Sequence, residues 1–190
     1  MVDYLIKQRK EPTPIKVNSK DLLLSRILQE KHFKRLGHGE HVLQISLKDK
    51  YDYNLASNYH ISSKDFIYNK NSYQLVIHKG FENEGNPEED GKQYFVYSPH
   101  ANNSLKIFAL DSREYCAHCG IWYTKGETAY IEPVVTIPRC RKQGLARAVV
   151  YEALNRAREL GAKWAIVLSS QEFYYSIGFR SSSEFYLWEY

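Results

Sequence analysis

Apolar and polar positions along this chain alternate at two different periods, and each change of period marks an element. From residue 145 onward Leu145, Val149, Leu154, Ala157 and Leu160 recur at helical spacing, and Gly161 closes a long helix as its C-terminal cap. Residues 21–28 carry a shorter helical pattern that Ser19 or Asp21 would cap, and residues 69–81 read as a further helix. Residues 41–47, 59–62, 105–110, 115–123 and 128–135 read as strands, with turns at Asp111-Ser112 and Lys125-Gly126. Beyond the long helix, residues 163–168 form an apolar run expected as a buried strand, and residues 171–177 a short helix. Gly178-Phe179 then starts another strand, and residues 185–189 end the sheet. Pro12 and Pro14 interrupt residues 1–19, the charged run 48–52 reads as a linker, and residues 93–97 suit helix or strand.

Composition narrows the class. A length of 190 residues suits one ordinary domain with an appendage, and 43% hydrophobic with 25% charged residues is a globular balance. The net charge of +4 fits a polyanionic ligand, yet no basic stripe concentrates it, so no nucleic-acid partner is expected. No apolar run approaches the length of a membrane span, and the N-terminus lacks the apolar core of a signal peptide. The expectation is a cytoplasmic protein without a membrane partner. Three cysteines without a disulfide framework read as reduced thiols.

Candidate chemistry gathers where a strand breaks into the long helix, at Arg141-Lys142-Gln143-Gly144-Leu145-Ala146. A helix start offers backbone N–H groups without helical partners and the positive end of the helix dipole, which together favour phosphate oxygens. Gly144 allows a close backbone approach, and Arg141, Lys142 and Arg147 add positive charge. Residues alone therefore point to a ligand carrying pyrophosphate.

The spacing Arg-x-x-Gly-x-Ala, preceded by Pro138, resembles the coenzyme A signature of the GNAT superfamily of GCN5-related N-acetyltransferases. Downstream, Phe173-Tyr174-Tyr175-Ser176-Ile177-Gly178-Phe179 resembles that family's second hallmark, Phe-Tyr-x-x-x-Gly-Phe, at about the family's separation. Element order over residues 58–190 agrees as well. The resemblance implies an α/β (α+β) fold, the GNAT acyl-CoA N-acyltransferase fold, with a mixed, mostly antiparallel sheet flanked by helices. It implies an acetyltransferase domain over residues 53–190, with residues 1–52 as an N-terminal helix–strand extension. Residues 24–33 and the strand after them resemble the tail of another GNAT domain, so the extension reads either as a remnant of one or as an unrelated cover for a sheet edge.

The implied activity is transfer of an acetyl group from acetyl-CoA to a primary amine by direct attack in a ternary complex. A non-catalytic acyl-CoA-binding sensor or regulatory module is the alternative. Backbone amides from Arg141 through Lys142, Gln143, Gly144 and Leu145 to Ala146, with Arg147 beside them, would hold the pyrophosphate. Pantetheine would hydrogen-bond like an added strand to residues 131–137, with Val135, Thr136 and Ile137 as its contacts. Tyr174 matches the family's tyrosine near the coenzyme sulfur, where a phenol can protonate the leaving thiolate; a core tyrosine is the competing reading, and Tyr175 the competing position. Glu132 matches a carboxylate that deprotonates the attacking amine, and His118 is the alternative base.

Other features carry less. Cys116 and Cys119 are three apart on a strand, point to opposite faces and lack a second ligand pair, so no metal is expected. The acidic loop of residues 82–90 would favour a cationic acceptor, or is simply solvated. The acceptor amine is unspecified by the sequence, and exposed strand ends of this fold offer a homodimer contact.

Overall fold

The computed structural model describes residues 14–37, 39–87 and 102–190. The element read at residues 93–97 and the end of the acidic loop lie outside the described residues. Two compact units divide the chain: residues 46–166 form one, and residues 1–45 with 167–190 form the other.

In the larger unit five strands run in the order β8-β7-β6-β5-β4: β4 (His60–Ile61), β5 (Lys106–Leu110), β6 (Tyr115–Trp122), β7 (Thr128–Thr136) and the first part of β8 (Trp164–Leu168). All these pairings are antiparallel except the last, in which β7 and β8 run parallel. The Asp111 carboxylate accepts from the N–H groups of Arg113 and Glu114, which is why β5 turns into β6 there. Helix α2 (Lys70–Gly80) begins where the Asn69 side chain accepts from the Ser72 N–H, so the cap falls at the first residue of the predicted helix.

The long helix α3 (Leu145–Glu159) buries Leu145, Val149, Leu154 and Ala157. Leu160, read as part of that stripe, is instead its C-cap and half exposed, and Gly161 follows at a φ of 103°. Two buried polar residues of α3 hold the irregular segments around it. Asn155 exchanges hydrogen bonds with both backbone groups of Tyr51, and Arg156 donates to the carbonyls of Ser62 and Ser104. Each satisfies backbone groups of irregular segments, Asn155 doing so within residues 48–58.

The smaller unit is built on β9 (Arg180–Glu189), a single ten-residue strand where two separate strand pieces were expected. β1 (Ile15–Asn18), β2 (Lys34–Arg35) and β3 (Glu40–Ser46) all pair antiparallel with it. Helix α1 (Leu22–Glu30), capped by Asp21 rather than Ser19, packs Leu28 onto Val17, Phe33 and Trp188. The N-terminal extension is therefore joined to the C-terminal strand through hydrogen bonds and a shared small core. Helix α4 (Glu172–Ser176) precedes Gly178, whose φ of 104° lets the chain reverse into β9. The sheet is mixed, mostly antiparallel and flanked by helices, as the sequence resemblance implies. No described helix is long and apolar enough to cross a membrane.

Candidate functional site

β7 is paired on one side along most of its length, but β8 accompanies it only from Thr128 to Tyr130. Beyond Tyr130, β7 has no partner on its β8 side among the described residues of this unit. Opposite, the β6–β7 register shifts between Cys119 and Ile121, so Gly120 faces both Glu132 and Pro133, which are joined by a cis peptide bond. A side chain at Gly120 would not fit, since a Cβ there would lie 2.6 Å from the Glu132 carbonyl oxygen. Val135 is likewise pressed against Gly80 of α2, where an added Cβ would stand 2.5 Å from its own. These two close approaches shape β7 just where its other edge becomes free.

From β7 the chain passes through Ile137 into a short 3-10 turn at Pro138–Cys140 and then into the basic turn. Lys142 and Gly144 both adopt left-handed backbone, with φ of 59° and 79°. Left-handed residues in a turn aim successive N–H groups at one point and so form an anion nest. Gly144 is the N-cap of α3 and brings no side-chain oxygen to it. Among the described residues, no acceptor takes the backbone N–H groups of Lys142 to Arg147, whereas Ala148 already bonds to the Gly144 carbonyl. A free strand edge thus leads directly into a cluster of free amides at the positive end of a fifteen-residue helix.

The basic side chains divide into two kinds. Lys142 and Arg147 are exposed, and no described residue pairs with either. Arg141, expected to add charge at the anion seat, is instead turned to the end of α2. Its guanidinium binds the Glu82 carboxylate at 2.8 Å, the Gly80 carbonyl at 3.1 Å and the Thr136 carbonyl at 3.1 Å. That engagement also neutralises part of the acidic loop. Gln143 accepts from the Tyr59 hydroxyl at 2.8 Å and donates to the Arg139 carbonyl, so its side chain ties the turn to the loop before β4.

Arg139 makes its own cluster. It pairs with Asp111 at 2.8 Å and Glu114 at 2.9 Å and reaches the Cys116 sulfur. The donor atoms of Asp111, Cys116 and Cys140 lie within 4.8 Å of one another, a grouping the sequence did not reveal. Arg139 holds the Asp111 carboxyl well below the usual carboxylate range, while burial pushes the Cys116 thiol up to about 12. Cys119, as expected, does not join Cys116; its thiol donates to the Gly120 carbonyl.

Glu132 is exposed, and its carboxylate lies 3.4 Å from the Tyr130 hydroxyl. Val135 and Ile137 are buried, and Thr136 is half-buried with a hydroxyl that has no hydrogen-bond partner among the described residues. His118, the alternative base, is fully buried; Nδ1 donates to the Ile107 carbonyl at 2.9 Å, and Phe108 stacks on its ring. Burial above all, with the nearby Lys106 charge, pulls its imidazole down to about 3, against the opposing Ile107 bond. Tyr174 belongs to the smaller unit, where it is buried on α4 between Phe173 and Phe179, with ring centroids 5.0 and 5.6 Å away. Tyr175, its neighbour, is half-buried.

The depressed His118 pKa has a thermodynamic consequence. The unfolded chain takes up a proton near pH 6.5 that the folded chain refuses until about 3, so folding stability is complete above 6.5 and falls with pH across that window. The loss should approach about 1.4 kcal/mol per pH unit. Urea denaturation between pH 7 and 5.5, above the range in which the depressed carboxyls of Asp111, Glu114 and Glu159 contribute, should show this slope, and His118→Phe should flatten it.

A sheet that opens along one strand edge beside an amide-lined helix start is an arrangement suited to a phosphate-bearing ligand. The chain belongs to the acetyltransferase (GNAT) family, whose family model matches residues 63–179, more than half of its length. It superposes on a GCN5-related N-acetyltransferase from Sphaerobacter thermophilus with a TM-score of 0.68 at 13% identity, over 100% of this chain and 63% of that one. A tandem GNAT protein from the clavulanic acid biosynthesis pathway gives 0.73 at 10% identity, over 99% and 66%. A GNAT family acetyltransferase from Brucella melitensis, solved in complex with acetyl-CoA, gives 0.52 at 17% identity, over 67% and 86%. At such identities the likeness is one of fold, and this chain spans less than two thirds of the first two proteins. No curated protein sequence matches it.

Proposed function

We propose that this protein transfers an acetyl group from acetyl-CoA to a primary amine. The observation that carries the reading is the run of free amides from Lys142 to Arg147, placed directly after the free edge of β7. In this reading those amides hold the pyrophosphate, Lys142 and Arg147 screen its charge, and Arg141 acts by bracing the turn against α2. Pantetheine adds to β7 as a short strand along Val135, Thr136 and Ile137. That a Brucella relative binds acetyl-CoA supports the choice of donor.

The amine attacks the thioester carbonyl directly, and a backbone N–H of β7 stabilises the tetrahedral oxyanion. Glu132 takes the proton that the attacking ammonium must shed. As the C–S bond breaks, the departing thiolate takes up the second proton, which the acetylated nitrogen sheds. The acetyl group moves from sulfur to nitrogen, and no covalent enzyme intermediate forms. His118 is assigned no proton transfer, because burial keeps its imidazole neutral far below physiological pH. The test is thiol release from acetyl-CoA across a panel of amines: release that needs both acetyl-CoA and an amine is expected, while binding without release would favour a sensor.

A further inference from the structure

On the α2 side of β5, β6 and β7 lies a cavity of about 200 Å³ bordered by Tyr73, Lys106, His118, Gly120, Trp122 and Glu132. Its floor comes from one cross-strand row. Lys106 pairs with Gly120, and Gly120 in turn faces Glu132 across the register shift. Two strand spacings, about 9–10 Å, separate the backbones that carry the cation and the carboxylate. Because the middle residue is glycine, no side chain fills the gap between them. The two opposite charges border one space without meeting in a salt bridge.

The Lys106 ammonium at this space lacks an anionic partner, which a ligand could supply. The Lys106 ammonium donates to the Tyr68 hydroxyl at 2.9 Å and lies 5.5 Å from the Tyr73 ring centre, and no carboxylate pairs with it among the described residues. His118 is fully buried, and its Nε2 has no hydrogen-bond partner. Since the Ile107 carbonyl can only accept, Nδ1 carries the ring proton, and Nε2 lies enclosed behind the cavity wall. The cavity therefore offers one cation and one carboxylate between aromatic walls.

We propose that this cavity takes a small zwitterion as acetyl acceptor, an amino acid whose carboxylate meets Lys106 and whose amine lies toward Glu132. The inference rests on the acetyl-transfer reading above and narrows its acceptor. A polyamine would set a second ammonium against Lys106.

Calorimetric titration in saturating coenzyme A tests the inference, with α- and ω-amino acids each paired with the amine that lacks only the carboxylate. At least one amino acid is expected to bind ten times more tightly than its paired amine. Lys106→Met should reduce that ratio to below twofold, and Lys106→Arg should keep most of it. Equal or tighter binding of the amines, a ratio unaffected by Lys106→Met, or no binding across the panel would overturn the proposal. Parallel thiol-release assays separate the two readings. Amino acids that bind selectively without thiol release would leave the cavity assignment standing and sink acetyl transfer; acetylated amines with amino acids ignored would do the reverse.

Discussion

Gly144→Asp is expected to weaken acetyl-CoA binding on the order of 100-fold, about 2.7 kcal/mol, while the protein remains folded. The substitution places a carboxylate among the free amides of the α3 start, where it competes for them and repels pyrophosphate. Gly144→Ala isolates the other part of the effect. A Cβ at this position meets nothing within 4 Å, so alanine adds only the cost of a left-handed φ of 79°. That cost is about 1–2 kcal/mol of stability, and affinity should stay within about threefold. Calorimetry with acetyl-CoA and a urea melt on each variant check both halves. Should the aspartate variant bind as tightly as the wild type, the phosphate lies elsewhere.

The second large effect is expected at Glu132. Glu132→Gln should lower kcat on the order of 100-fold, the lower end of what a positioned base contributes, and leave acetyl-CoA affinity unchanged. The deficit should shrink as pH rises toward the acceptor's own amine pKa, because the nucleophile then arrives already deprotonated. A purely structural role for Glu132 predicts a loss that does not vary with pH. A kcat within threefold of wild type would remove Glu132 from the proton-transfer step. Thiol-release kinetics from pH 6.5 to 9.5 on both proteins decide among these outcomes.

Local chemistry explains which parts of this architecture could be read directly from the chain. Asn69 and Asp21 cap helices within a residue of where their side chains imply, because an N-cap is settled by atoms two or three positions away. The basic turn and Gly161 were legible for the same reason. Residues whose roles depend on distant partners were not. Arg141 looks like an anion ligand in sequence, but its charge is used by Glu82 and Gly80, which only the fold brings near. Arg156, a charged residue of the long helix, is buried where it holds the carbonyls of Ser62 and Ser104, which lie far from it in the chain.

The candidate site divides along the same line. The anion seat is contiguous, so the segment from Val135 to Arg147 carries it almost complete. The cavity beside Glu132 draws on Lys106, Gly120 and Glu132 from three strands, and its charge pattern emerges only from the register of β5, β6 and β7. His118 shows how burial changes a residue's meaning. As a histidine on a strand it was a candidate base, but at full burial its remaining capacity is to accept a hydrogen bond.

One measurement addresses the anion seat itself. Backbone amide resonances of the ¹⁵N-labelled protein can be followed as acetyl-CoA is added. The largest shifts are predicted at the amides of Lys142 to Arg147, with a second group along β7 from Val135 to Ile137. Saturable binding that leaves the amides of Lys142 to Arg147 unmoved while others shift would contradict the account.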